Sequence, residues 1–159
     1  MRPLLFLLLA VSVFAADDSK LRIYELGKLG ADKLSDLPAR YAEAMGKVYT
    51  AEMPNPVFRL SNLVFLPEGR PQRLDLYVRY ARDLKVRRPG VLFIHGGGFT
   101  GGDKAEYRSA SVSADLARAG YVVVSCNYVL GPKDKPGVWP RNIADCRDAV
   151  RWMRANADA

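Results

Sequence analysis

The residues of this chain best suited to chemistry lie in one short run, Gly90-Val91-Leu92-Phe93-Ile94-His95-Gly96-Gly97-Gly98-Phe99-Thr100-Gly101-Gly102. Val91 to Ile94 is an apolar stretch bounded by glycine, the pattern of a strand buried on both faces of a parallel sheet. Gly96, Gly97 and Gly98 then strip the backbone of Cβ atoms as it leaves that strand. The chain can take positive φ there, and a ligand can reach the N–H groups directly. Such a turn suits a group that carries or develops negative charge.

Two phosphate-binding patterns share some of these letters. Gly96-x-Gly98-x-x-Gly101 matches a dinucleotide fingerprint, but that motif needs an acidic residue at the end of the next strand to hold the ribose hydroxyls. The next candidate strand, Tyr121 to Asn127, carries none. A nucleotide-binding frame from Gly97 to Gly102 is followed by Asp103 instead of lysine. A plain tight turn is the remaining alternative. His95 is the only histidine, and its place inside the motif marks it as a brace for the loop. It is not assigned as a general base or a metal ligand. A zinc site is implausible without a second histidine and with Cys126 and Cys146 well separated in sequence.

His95-Gly96-Gly97-Gly98-Phe99 after a buried strand resembles the oxyanion loop of α/β-hydrolase-fold esterases and lipases. The resemblance implies that the amides of Gly97 and Gly98 stabilise the oxygen that turns negative when a serine attacks an ester carbonyl. His95 and Gly96 would support the loop. Phe99 would line the acyl or alcohol pocket, with Trp139 in its wall. Gln72 to Val78 looks like the second strand of secreted esterases. Asn127-Tyr128-Val129-Leu130 is similar to the family's Asn/Asp-Tyr-Arg-Leu motif, with Val129 where arginine is usual, which puts in question an ionic contact beneath the loop. Trp139 to Trp152 looks like the helix that precedes the nucleophile strand. The nearest resemblance is to secreted feruloyl or acetyl-xylan esterases of BD-FAE type. It implies an α/β fold, namely an incomplete α/β-hydrolase fold with the N-terminal strands and first crossover helices of a mostly parallel sheet. The implied substrate is a small-molecule or carbohydrate-linked ester, and no metal or organic cofactor is implied.

A serine esterase also needs a nucleophile on a G-x-S-x-G elbow, then an acid and a histidine, in that order. No serine here has that flanking pattern. Ser109, Ser111 and Ser113 follow the loop but fall on an expected helix, with no base to take their proton. The expectation is therefore the N-terminal part of a longer hydrolase, inactive alone. Its strand at 121–127 would be left as an unpaired apolar edge. A non-catalytic binding protein of the same fold and a secreted peptidase are the alternatives.

The rest of the chain must position that loop. Residues 1–15 have a positive start, a short apolar run and small residues at the end. This is the pattern of a secretory signal cleaved before Ala16, too short to span a bilayer as a stable helix. It predicts a secreted or periplasmic protein. The formal charge of +7 is spread without long like-charge runs, which argues against a nucleic-acid partner. Residues 16–56 read as a lead-in, with a short helix from Ser35 or Asp36 to Gly46 and a boundary at Pro54 and Pro56. Residues 57–159 read as the hydrolase part. Strands are expected at 57–66 and 73–80, joined by a turn at Pro67-Glu68-Gly69-Arg70. Alternation of Leu74, Leu76 and Val78 with Asp75, Tyr77 and Arg79 predicts a half-buried antiparallel pair. A helix over 106–119, using Val112 and Leu116 and stopped by Gly120, leads to a parallel strand at 121–127. Ile143, Cys146, Val150 and Met153 mark a final helix. Cys126 and Cys146 are expected to be buried free thiols, kept apart by the helix-to-sheet gap.

Overall fold

The computed structural model describes residues 23–25, 57–79, 86–134 and 138–158. The expected signal segment, the helix at 35–46 and the boundary prolines lie outside them. Among the described residues the strands are β1 (Ile23–Glu25), β2 (Val57–Leu63), β3 (Leu74–Arg79), β4 (Gly90–Ile94) and β5 (Val122–Cys126), and the helices are α1 (Tyr107–Arg118) and α2 (Arg141–Ala155). They build one sheet in the order β1-β2-β3-β5-β4.

β2 and β3 pair antiparallel, as their alternation and the intervening turn predict. Arg70 N–H closes that turn on the Pro67 carbonyl, with Gly69 at φ 82°. Between Leu60 and Leu63 the register slips, so that Asn62 stands at φ 61° in a bulge. β4 and β5 run parallel, from Gly90 opposite Val122 to Ile94 opposite Cys126. α1 is the crossover between them, so both strands end at the same edge of the sheet. The glycine run and residues 127–131 leave from that edge.

Helices cover the two faces. On one, Tyr77, Val123 and Val57 pack with Ala114 and Ala117 of α1. On the other, Leu60, Leu74, Leu76, Val124 and Cys126 pack with Cys146 and Ala149 of α2. α1 ends as its sequence predicts. Gly120 takes φ 105°, its N–H reaches the Ala117 carbonyl, and Tyr121 N–H reaches the Leu116 carbonyl. That pair of bonds caps the carbonyls left over at the end of a helix, using the one residue type that enters the left-handed region without strain.

Three expectations need correction. β3 is not half-buried: Leu74, Asp75, Leu76 and Tyr77 are all buried, because α1 covers the face that carries Tyr77 and α2 the face that carries Leu74 and Leu76. The exposed sheet edge is not residues 121–127. β5 inserts between β3 and β4 and leaves β4 outermost among the described residues, where each of its five residues is only half-buried. The packed face of α1 is built from Ser109, Ser113, Ala114 and Ala117, with Val112 and Leu116 at its margin. Small residues let the helix sit close to the strands.

Candidate active site

Four of the residues that follow β4 lie in the left-handed region: Gly97 at φ 122°, Gly98 at 60°, Phe99 at 65° and Gly102 at 97°. The loop closes on one acceptor, the Gly97 carbonyl, which takes Thr100 N–H at 3.1 Å and Gly101 N–H at 3.2 Å. The N–H groups of Gly97 and Gly98 donate to nothing among the described residues, and both residues are exposed. Beside them a cleft of about 540 Å³ is lined by Phe93, Gly96, Gly97 and Gly102, and by Glu106 and Tyr107 at the start of α1.

Glycine is required at some of these positions and not at others. A Cβ on Gly97 would stand 2.1 Å from the Gly101 carbonyl oxygen, and one on Gly102 would stand 2.2 Å from the Gly96 oxygen and 2.4 Å from His95 Nδ1. Gly98 has open space around it, so only its φ restricts it. At Gly96 neither space nor φ forbids a side chain.

His95 is 3 % exposed and lies beneath the loop. Its Nδ1 lies 2.8 Å from the Gly96 carbonyl oxygen, so the tautomer with hydrogen on Nδ1 donates there. The ring stacks on Tyr128, with centroids 4.5 Å apart and planes 14° apart. Tyr128 donates its hydroxyl to the His95 carbonyl at 3.0 Å. Burial pushes the Tyr128 pKa up, which keeps that donor protonated. Phe99 meets the edge of the Tyr128 ring, and its carbonyl accepts Gly131 N–H at 2.9 Å. The loops after β4 and β5 are thus stitched side by side.

The far end of the loop is anchored more firmly still. Lys104 N–H donates to Asn127 Oδ1 at 2.7 Å, and the Lys104 carbonyl accepts the Ser125 hydroxyl at 2.9 Å. Lys104 Nζ reaches Asp75 Oδ1 at 2.7 Å, with side chains 6 % and 0 % exposed. The bulge in β2 aims Asn62 N–H at the same oxygen, 2.9 Å away. Asp103 takes Asn127 Nδ2 on one carboxylate oxygen and Ala105 N–H on the other. Partial burial raises the Asp103 pKa, but those two bonds and the Lys104 charge outweigh it and hold the carboxyl below its ordinary range.

Of the residues singled out from sequence, Gly96, Gly97, Gly98, His95 and Phe99 share one loop. Trp139 is 72 % exposed, and neither it nor Phe99 lines the cleft. Sequence reading gave no role to Tyr128, Lys104, Asp75 or Asn127, whose partners are distant in the chain. Alternation put Asp75 on the face opposite Leu74 and Leu76, and its burial was not signalled. Val129 N–H donates to Asp145 Oδ2 at 2.9 Å, while Arg70 from the β2–β3 turn supplies the cation, with Nη2 2.8 and 2.7 Å from the two Asp145 oxygens. Among the described residues no cluster of His, Cys, Asp and Glu is assembled to hold a metal, and no helix is long and apolar enough to cross a membrane.

A parallel β4-α1-β5 crossover with a glycine loop after β4, on a sheet that begins with antiparallel strands, is an incomplete α/β-hydrolase fold, and solved esterase structures share it. Esterase B from Lactobacillus rhamnosis, solved with a tributyrin phosphonate, aligns at TM-score 0.51 and 25 % identity over 77 % of this chain and 39 % of that one. A Pyrobaculum calidifontis esterase aligns at TM-score 0.50 and 26 % identity over 82 % and 39 %. The BD-FAE family model matches residues 74–159, and the chain belongs to that family. Among curated proteins, "Esterase LipC" of Mycobacterium tuberculosis is 34 % identical and "Probable carboxylic ester hydrolase LipM" of the same organism 32 % identical, each over 88 residues. Those matches cover 55 % of this chain and 20 % of each relative.

The steric asymmetry of the loop can be tested by substitution. Gly97→Ala should lower stability by about 1–3 kcal/mol, since a side chain there demands strained backbone and displaces residue 101. Gly96→Ala should change it by less than about 0.5 kcal/mol. Urea midpoints of the two variants measure both effects, and equal midpoints would contradict the loop geometry.

Proposed function

We propose that this chain supplies the oxyanion loop of an exported, serine-dependent carboxylic ester hydrolase. A serine Oγ attacks the ester carbonyl carbon, the carbonyl π electrons move onto oxygen, and the N–H groups of Gly97 and Gly98 donate to the resulting oxyanion. The observation that carries this reading is that both amides have no acceptor among the described residues, whereas their neighbours Thr100 and Gly101 have one. Loss of a single donor of this kind typically raises the barrier by roughly 2.7–4 kcal/mol. Phe99, 51 % exposed, stands at the same sheet edge and would contact the acyl or alcohol part of a small-molecule or carbohydrate-linked ester. Trp139 would form the outer wall.

The nucleophile, acid and base would come from outside these 159 residues. Ser109 donates its hydroxyl to the Asp103 carbonyl and Ser125 to the Lys104 carbonyl, so both are structural. His95 is held beneath the loop by Gly96 and Tyr128. The purified 159-residue chain should therefore hydrolyse p-nitrophenyl acetate no faster than background. A product extended in frame through a G-x-S-x-G should turn it over and be silenced by a serine-directed phosphonate. Phosphonate-sensitive turnover by the 159-residue chain itself would contradict the reading.

Export rests on residues 1–15, whose pattern is that of a cleavable signal. N-terminal sequencing of the exported product should begin at Ala16, and an intact Met1 would refute cleavage.

A further inference from the structure

The segment that follows β5, residues 127–131, lies outside any helix or strand, yet it holds the glycine loop along its length. Asn127 bonds Asp103 and Lys104 N–H, and Tyr128 stacks on His95 and donates to its carbonyl. Gly131 N–H donates to the carbonyl of Phe99, the residue next to Gly98. Whatever holds this segment therefore also holds the loop. Asn127 N–H donates to the Arg73 carbonyl at 2.9 Å, and Val129 N–H donates to Asp145 Oδ2 at 2.9 Å. Asp145 is 2 % exposed, and a carboxylate so buried needs a cation beside it. Arg70 is that cation, with Nη2 2.8 and 2.7 Å from the two oxygens. The guanidinium is itself fixed. Its Nε donates to Gln72 Oε1 at 3.1 Å, and Arg73 Nη1 donates to the Arg70 and Gln72 carbonyls at 2.6 and 2.8 Å.

We infer that Arg70, in the β2–β3 turn, is a positioning residue for ester hydrolysis: by fixing the Asp145 carboxylate it holds Val129, and with it the Gly131 bond that sets Phe99 and the neighbouring Gly98 amide. The inference rests on the esterase reading. Arg70 does not line the cleft beside the glycines, and it acts only through this line of bonds. Oxyanion donors count most once the oxygen has become negative. A loop released at Phe99 therefore loses transition-state stabilisation while keeping most of its hold on the ester, which lowers kcat and kcat/KM together. Lysine replaces the arginine only in part. Its ammonium carries the charge, but it has no Nε to anchor on Gln72 and no planar fork.

The test has a kinetic arm and a structural one. In the protein extended in frame through its nucleophile, Arg70→Met should lower kcat for p-nitrophenyl acetate about 10- to 100-fold and leave KM within about twofold. Arg70→Lys should fall between that variant and the parent. It decides alone if the methionine variant, which leaves Asp145 uncompensated, does not fold. In the 159-residue chain, amide hydrogen exchange followed by NMR reads the loop without any catalysis. Arg70→Lys should speed exchange at Val129 and Gly131 at least about fivefold and leave Gly120 and Tyr121, at the far end of α1, unchanged. Arg151→Lys, in the exposed pair with Asp148 on α2, should alter neither readout. An unchanged kcat in Arg70→Lys, a loss confined to KM, or unchanged exchange at Gly131 would each overturn the inference. Absence of ester turnover in the unaltered extended protein would instead refute the esterase reading, and the exchange arm would still show whether Arg70 holds the segment.

Discussion

A carboxylate in the middle of a sheet has to be answered by a cation, and the glycine loop stands on that requirement. Asp75 is 0 % exposed in the central strand β3, where an unpaired charge would be prohibitive. Its partner is Lys104, which follows directly on the glycine loop, so neutralising the strand also fixes where the loop must end. Removing one member of such a buried pair typically costs about 3–5 kcal/mol, because the other is left without compensation. The same residue is pinned through its backbone to Asn127 and Ser125. One position therefore ties β3, β5 and the loop together, and the β2 bulge adds Asn62 to the same carboxylate.

With that end fixed and β4 fixed at the other, the loop has little freedom left. Its left-handed residues turn the Gly97 carbonyl inward, where it takes two N–H groups, and leave the two preceding amides unclaimed. His95 and Tyr128 fill the space below, and Gly131 joins the loop to its neighbour. Arg70 and Asp145 play the corresponding role on the opposite face, holding the first turns of α2 against the segment after β5.

Features set by local chemistry could be read directly from the chain. The glycine-bounded apolar run, the turn at 67–70, the stop at Gly120 and the parallel crossover all depend on residues close in sequence. What eluded sequence reading depends on strand order. Nothing near residue 122 says that β5 inserts between β3 and β4, yet that placement moves the free edge to β4 among the described residues. Alternation along β3 marked Asp75 as facing away from Leu74 and Leu76, but its partner is a lysine on another element. Cys126 and Cys146 are both buried free thiols, as expected from their places on a strand and on the apolar stripe of a helix. In the site, the glycines were legible as a loop, whereas the residues that hold it in shape were not.

The central claim is that the amides of Gly97 and Gly98 receive an oxygen as it becomes negative. Its most direct test is a crystal structure of the in-frame extended protein carrying a phosphonate on its nucleophilic serine. The account predicts the phosphonyl oxygen at about 2.7–3.1 Å from both nitrogens, with the loop otherwise unmoved. A phosphonyl oxygen bound elsewhere, or a loop in which those N–H groups have turned to neighbouring backbone, would contradict it.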